Sequence, residues 1–118
     1  MIQRMESNAR MSQIVVHNGV VYLAGQVDET AQSGSIKHQT ENVLKQVDDL
    51  LAKAGTDKTR LLTATIYLTD IKTFGEMNEA WQAWVSAEGL PTRATVEVGA
   101  LAGPEYGVEI VVTAATKA

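Results

Sequence analysis

The sequence contains no cysteine, which excludes disulfides, thiolate nucleophiles and cysteine-based zinc or iron–sulfur sites. The lack of disulfides fits a reducing cytoplasm, where we expect this chain to act. The two histidines, His17 and His38, do not have the spacing of metal ligands. No glycine-rich segment matches a nucleotide-binding fingerprint. The sequence therefore predicts no metal site, and any chemistry must come from other groups.

The chain also lacks an excess of positive charge. It has 10 Lys and Arg residues and 14 Asp and Glu residues, which give a net charge of −4. Nucleic acids and anionic membranes are bound through basic patches, so we expect neither as a partner. The N-terminal residues lack the apolar run of a signal peptide, and no apolar stretch approaches the roughly 20 residues that cross a bilayer. We therefore expect a soluble cytoplasmic protein with one domain over residues 1–118.

Local patterns predict the secondary structure. Two β-rich runs, 14–17 and 20–26, flank Asn18-Gly19 and predict a hairpin, in which Gly25 marks a bulge or a close backbone approach. An apolar stripe over 36–54 predicts an amphipathic helix that ends at Gly55. Alternation over 61–68 predicts a one-sided strand. Asp70 is the expected N-cap of a second helix. The apolar stripe of that helix is Phe74, Met77, Trp81, Trp84 and Val85.

Residues 90–98 and a last strand over 108–113 complete an order of hairpin, helix, strand, helix and two strands. That order predicts an α+β fold in which two helices cover one face of a single sheet. The other face would carry many threonine and aliphatic side chains, which suit a covered surface better than a solvated one. We therefore expect a second copy of the chain to cover it, as in a homo-oligomer.

Within residues 90–98, alternation separates two sets of side chains. It predicts that Ala94, Val96 and Val98 face the core, while Arg93, Thr95 and Glu97 face the other way. One interpretation pairs Arg93 with Glu97 or Glu109 in a surface ion pair of roughly 0–1 kcal/mol. The other uses the guanidinium fork to bind a carboxylate or phosphate in two places at once. The pattern alone leaves both open.

Residues 91–98, followed by Leu101 and residues 108–110, resemble a known C-terminal family signature. It is the signature of the Rid family of reactive intermediate deaminases, also called the YjgF-type or endoribonuclease L-PSP family. Residues 21–27, 65–70 and 74–78 resemble further segments, so the resemblance covers nearly the whole chain. The N-terminal part is closer to a shorter branch than to the best-studied deaminases.

This resemblance implies a chorismate-mutase-like α+β fold, assembled as a homotrimer with three equivalent sites in clefts between subunits. It implies hydrolysis of imines and enamines such as 2-iminopropanoate and 2-aminoacrylate to a 2-keto acid and ammonia, without a cofactor. By the same resemblance, Arg93 binds the substrate carboxylate and Glu109 positions or activates the water. Such positioning can lower a barrier by several kcal/mol, and Glu109 would act as a general base.

The remaining expected site residues also follow from the resemblance. The backbone at Thr95 and around Ala24-Gly25 lines the cleft, and Asn78 lies near it. Met11, Ala24 and Thr95 stand where the best-studied deaminases carry tyrosine, serine and cysteine. Met11 would give the pocket an apolar, adaptable wall.

Two rival functions remain at this point. One is a non-catalytic trimer that binds a carboxylate metabolite or regulates a partner, keeping Arg93 but needing no positioned water. The other is ribonuclease activity or translation inhibition, which the family's name suggests and which the acidic balance of the chain disfavours.

Overall fold

The protein is described by a computed structural model over residues 1–30 and 34–117. Six strands form one mixed sheet in the order β1-β2-β3-β6-β4-β5. The elements are β1 Gln3–Ser7, β2 Ser12–His17, β3 Val20–Leu23, α1 Ile36–Lys53, β4 Leu61–Leu68, α2 Phe74–Trp84, β5 Thr92–Glu97 and β6 Val108–Ala115. The predicted α+β arrangement is confirmed. Positions 31–33 and 118 lie outside the described residues.

The hairpin forms where the sequence predicts it. Strands β2 and β3 pair antiparallel, with His17 opposite Val20. Between them Asn18 and Gly19 have φ values of 51° and 79°, which are the two positive angles of a type I′ turn. Strand β1 adds to the outer side of β2 and forms one edge of the sheet.

Helix α1 has the predicted bounds within a residue. Its first turn is capped by Ser35, whose hydroxyl oxygen accepts from the His38 N–H at 3.1 Å. Past its end, Gly55 has a φ of 79°, in the left-handed region where glycine carries no Cβ penalty. The buried stripe of the helix packs on the sheet through Val43, Leu44, Val47, Leu50 and Leu51.

The prediction that Asp70 caps α2 is wrong. Asp70 accepts from the Lys72 N–H at 2.9 Å, and so it caps a short 3-10 turn over Ile71–Thr73. The Thr73 hydroxyl donates back to the Asp70 carbonyl at 2.6 Å. This tight turn comes before the α-helix, which begins at Phe74 without a side-chain cap.

The core lies between the sheet and the two helices. Its α2 members include Met77 and Trp81, and Trp84 packs at its margin. The central strands contribute alternate residues, with the buried set of β4 and β6 being Leu61, Ala64, Ile66, Leu68, Val108, Ile110, Val112 and Ala114. No described helix combines the length and apolar character needed to cross a membrane.

Strand β5 corrects the predicted assignment of faces. It pairs parallel to β4 at the second edge of the sheet, with Arg93 beside Ala64 and Thr95 beside Ile66. Ala64 and Ile66 are buried under the helices, so Arg93 and Thr95 also face the helices. Val96 lies on the open face and is 42% exposed. Alternation separates the two sets of an edge strand but does not decide which one is covered.

The open face of the sheet carries hydroxyl and aliphatic side chains, as predicted. Thr63 and Thr113 share a hydroxyl hydrogen bond of 2.6 Å across β4 and β6. Val111 lies half-buried beside Thr65, and Tyr22 is exposed at β3. Both α-helices pack on the opposite side, so no helix of residues 1–30 and 34–117 covers this face.

Candidate functional site

Arg93 is held against α2 by uncharged groups. Its guanidinium carbon lies 5.6 Å from the ring centroid of Phe74 and 5.5 Å from that of Trp81. One of its terminal nitrogens, Nη1, donates to the Asn78 side-chain oxygen at 2.7 Å. A guanidinium has five N–H donors, so this arrangement leaves several of them for a ligand.

In the part of the chain that the structure describes, Arg93 forms no salt bridge. Glu97, the nearest carboxylate along β5, accepts instead from the Ile71 N–H at 2.8 Å. Glu109 lies on the other face of the sheet, as the pairing of β6 with β4 requires. The surface ion pair that the sequence pattern allowed is therefore not formed within one chain, and the positive charge of Arg93 stays uncompensated.

The free edge of β5 offers backbone donors beside Arg93. The Val98 N–H points inward and donates to the Leu68 carbonyl at 2.8 Å. Because the N–H groups of a strand alternate in direction, those of Arg93 and Thr95 point outward, away from β4. The Thr95 hydroxyl is buried and has no hydrogen-bond partner in the described chain. We call Arg93, Thr95 and Asn78 the arginine half-site.

Glu109 lies on the open face of β6, against the end of β3. Its carboxylate contacts Gly25 so closely that a Cβ built on Gly25 would overlap it. The close backbone approach predicted at Gly25 is therefore observed. The chain beyond β3 is fixed here by two backbone bonds, one from the Ala24 N–H to the Gln13 carbonyl at 2.9 Å and one from the Gln26 N–H to the Ile110 carbonyl at 2.9 Å.

Met11 lies in the turn between β1 and β2, two residues before Gln13. Its backbone N–H donates to the Asn8 side-chain oxygen at 3.1 Å, and its side chain is 39% exposed. Since Gln13 bonds to Ala24, the turn of Met11 borders the end of β3. We call Glu109, Ala24, Gly25 and Met11 the glutamate half-site.

The two half-sites do not meet within one chain. Arg93 is level with Ala64 of β4 and faces the helices, whereas Glu109 is level with Tyr67 and faces away from them. Strand β4 lies between them. The offset of three residues alone corresponds to about 10 Å along the strand. A single site that contains both groups therefore needs more than one copy of the chain.

Residues 1–116 match the protein family described as Endoribonuclease L-PSP. The chain belongs to this family. Its resemblance to the Rid or YjgF-type proteins is thereby confirmed over nearly its whole length.

Curated relatives of this Rid-family chain agree with that assignment. A RutC family protein of Haemophilus ducreyi is 45% identical over 115 residues, which cover 98% of this chain and 97% of the relative. A protein of Rattus norvegicus named 2-iminobutanoate/2-iminopropanoate deaminase is 32% identical over 95 residues, covering 76% of this chain and 69% of the relative. Among solved structures, a YjgF-family member of Neisseria meningitidis superposes with a TM-score of 0.95 at 42% identity, covering 100% of this chain and 97% of that one.

A polar cleft of about 550 Å³ lies on the helix side of this Rid-family fold and contains neither Arg93 nor Glu109. Three glutamine side chains line it and bond to one another, with Gln26 donating to Gln13 at 2.8 Å and Gln46 donating to Gln26 at 3.2 Å. Their amides are thus already paired. Within residues 1–30 and 34–117, no group of three or more His, Asp or Glu side chains could hold a metal ion.

The sequence pattern missed Phe74 and Trp81 as neighbours of Arg93, since both were assigned to the apolar stripe of α2. The spacing of these residues in the sequence could have indicated that they act together. Phe74, Asn78 and Trp81 are four and three residues apart and so share one helix face. The half-exposed position of Phe74, at 39%, distinguishes it from the buried core members of that stripe.

Proposed function

We propose that this Rid-family chain is a hydrolase that converts small 2-imino acids to 2-keto acids and ammonia. The observation that carries the proposal is the Arg93 guanidinium, which no carboxylate of the described chain neutralises and whose position at the free sheet edge leaves donors for a ligand. Such a fork suits a substrate carboxylate. The deaminase name of the rat relative supports the same reaction class.

In this mechanism the substrate carboxylate binds the donors of Arg93 and the outward N–H of Thr95. This fixes the neighbouring imine carbon, which is the electrophile. Glu109 accepts a proton from a water molecule as its oxygen bonds to that carbon. Glu109 returns this proton to the former imine nitrogen and then carries the hydroxyl proton of the adduct to the same nitrogen. The C–N bond breaks, ammonia leaves and the carbonyl forms. Enamines enter the same route after tautomerising to imines.

The proposed site takes its two halves from two subunits of a homotrimer. Arg93 and Glu109 face opposite sides of the sheet, so a ring in which each chain offers its arginine half-site to the glutamate half-site of the next would form three equal sites. The uncovered hydroxyl and aliphatic surface around Val111 supports burial of the open face in such a ring.

A non-catalytic trimer that binds a carboxylate metabolite is the second candidate. It is favoured by Met11 and Ala24, which bring no hydroxyl group to the glutamate half-site. Glu109→Gln separates the two functions. In a deaminase it lowers turnover and leaves pyruvate binding in place, whereas in a binding protein it changes neither. Ribonuclease activity is not proposed, because a net charge of −4 does not favour RNA.

Arg93→Ala tests the proposal. We expect the wild type to accelerate keto-acid release from freshly generated 2-iminopropanoate, and the variant to lose at least about 100-fold of that acceleration because the substrate is no longer oriented. Arg4→Ala, at an exposed position of β1, is the matched control and should act like the wild type. If the wild type gives no acceleration over buffer with several amino-acid precursors, the proposal is wrong.

A further inference from the structure

Arg93 is surrounded on the α2 side by groups that hold it without neutralising it. Phe74, Asn78 and Trp81 lie on one face of the helix, and each contacts the guanidinium. The two rings lie 5.6 and 5.5 Å from its carbon, and the asparagine oxygen lies 2.7 Å from Nη1. We call these three residues the uncharged cradle.

The chemistry of the cradle has two consequences for a bound carboxylate. A free arginine side chain must lose much rotamer freedom to form a bidentate pair, and stacking on aromatic faces orders it in advance. An amide oxygen accepts a hydrogen bond but carries no charge, so the guanidinium keeps its full attraction for an anion. A carboxylate in place of the amide would compete with the ligand for the same donors.

The same face of β5 carries one acidic group that could compete in this way. Glu97 lies four residues beyond Arg93 on the helix side. Its Oε1 accepts from the Ile71 N–H at 2.8 Å, at the start of the 3-10 turn that leads into α2. This bond directs the carboxylate to a backbone donor and away from the guanidinium.

Core packing alone does not explain a phenylalanine at position 74. It is 39% exposed, although its ring is large and apolar and its helix neighbour Met77 is fully buried. Its contact with Arg93 accounts for a ring at this half-open position, because the guanidinium covers part of it. The cradle thus combines a buried ring, Trp81, with an accessible one that borders the ligand side.

We propose that Phe74, Asn78 and Trp81 are positioning residues that preset the Arg93 fork and keep its charge available to the substrate carboxylate. This assigns Asn78 to Arg93 and not to the substrate. The inference rests on the proposed function of Arg93 as a carboxylate-binding group. It predicts that changes in the cradle act on carboxylate affinity, and so on KM, with little effect on kcat.

The test compares variants of the assembled protein by calorimetric binding of pyruvate and by steady-state hydrolysis of 2-iminopropanoate. Asn78→Asp is nearly isosteric and adds a competing carboxylate, so pyruvate binding should weaken about tenfold or more. Phe74→Leu should weaken it about two- to five-fold, the factor expected for one exposed cation–π contact. Phe74→Tyr, which keeps the ring face, should bind pyruvate with the affinity of the wild type.

Ala83→Glu is the matched control, because it adds the same charge at an exposed position of α2, five residues from Asn78 and so on another face of the helix. It should bind pyruvate as the wild type does. In the cradle variants, KM should rise in step with the dissociation constant of pyruvate while kcat stays within about twofold. Circular dichroism and the oligomer mass check that each variant is folded.

The outcomes separate this inference from the proposed function. If the wild type binds pyruvate and the cradle variants weaken it, but no protein hydrolyses the imine, the cradle stands and the deaminase proposal fails. If folded Asn78→Asp and Phe74→Leu bind pyruvate as tightly as the wild type, the cradle is overturned. A loss of kcat with unchanged KM in these variants would overturn it as well.

Discussion

At the scale of single residues, Gly25 is important because it has no side chain. The Glu109 carboxylate occupies the space that a Cβ on Gly25 would take. The glutamate side chain is flexible, so a methyl group there should displace the carboxylate and leave the strands in place. Gly25 therefore sets where the proposed general base stands.

We predict that Gly25→Ala folds normally but hydrolyses 2-iminopropanoate about 10- to 100-fold more slowly, because a displacement of the base near 1 Å is enough for such a loss. Keto-acid release, measured beside the thermal midpoint, checks this. Gly99→Ala is the control, since a Cβ at Gly99 has no atom within 4 Å. A full wild-type rate in Gly25→Ala would show that the position of Glu109 is not critical.

Sequence alone predicted Arg93 and Glu109 as site residues but could not orient them. The alternation around Arg93 is real, yet its apolar members, Ala94 and Val96, lie on the open face. A guanidinium can face a helix layer when aromatic rings pack against it, as Phe74 and Trp81 do here. Such a contact links residues far apart in the chain and is not visible in a local pattern.

At the scale of elements, local signals carried most of the prediction. The Asn18-Gly19 turn and the stripe of α1 fixed the hairpin and the first helix, because their geometry depends on nearby residues. The place of β5 depends on long-range pairing instead. Helix α2 connects the parallel strands β4 and β5, and this βαβ connection is what brings α2 against Arg93.

Asp28 ties the segment after β3 to α1. Its carboxylate is buried and accepts from the Thr30 N–H at 3.0 Å, the Thr30 hydroxyl at 2.7 Å and the Asn42 amide at 3.1 Å. Burial raises the pKa of this carboxyl, but the hydrogen bonds from Thr30 and Asn42 outweigh it and leave the pKa below its usual value. The ionised form is therefore the one that stabilises the fold.

We predict that Asp28→Asn lowers the free energy of unfolding at pH 7 by about 1–3 kcal/mol, the usual loss for a buried hydrogen-bonded charge. Because the folded pKa is lowered, the stability from Asp28 is present above the ordinary value of 3.8 and is lost as the pH falls through the folded value. Urea denaturation between pH 7 and pH 3 should show the two proteins converging. Asp49→Asn, at an exposed position of α1, is the control, and an equal difference at every pH would contradict the account.

At the scale of the whole molecule, the open sheet face is the surface that the proposed trimer buries. We predict a solution mass about three times the chain mass of 12.7 kDa. Val111→Lys puts a charge at the centre of this face and should give monomers in sedimentation equilibrium, since burying an unpaired charge is costly. Leu90→Lys, which changes a 68% exposed residue outside the strands, should leave the trimer intact. A monomeric wild type would refute the assembly.

The central claim is that one site combines Arg93 of one subunit with Glu109 of another. Separately, Arg93→Ala and Glu109→Ala should both be inactive on 2-iminopropanoate. When the two inactive proteins are unfolded together and refolded as mixed trimers, about one quarter of the sites should regain both groups if subunits assort at random. The account therefore predicts that keto-acid release returns to about a quarter of the wild-type rate in the mixture but not in either variant refolded alone. Mixed trimers with no activity would contradict it.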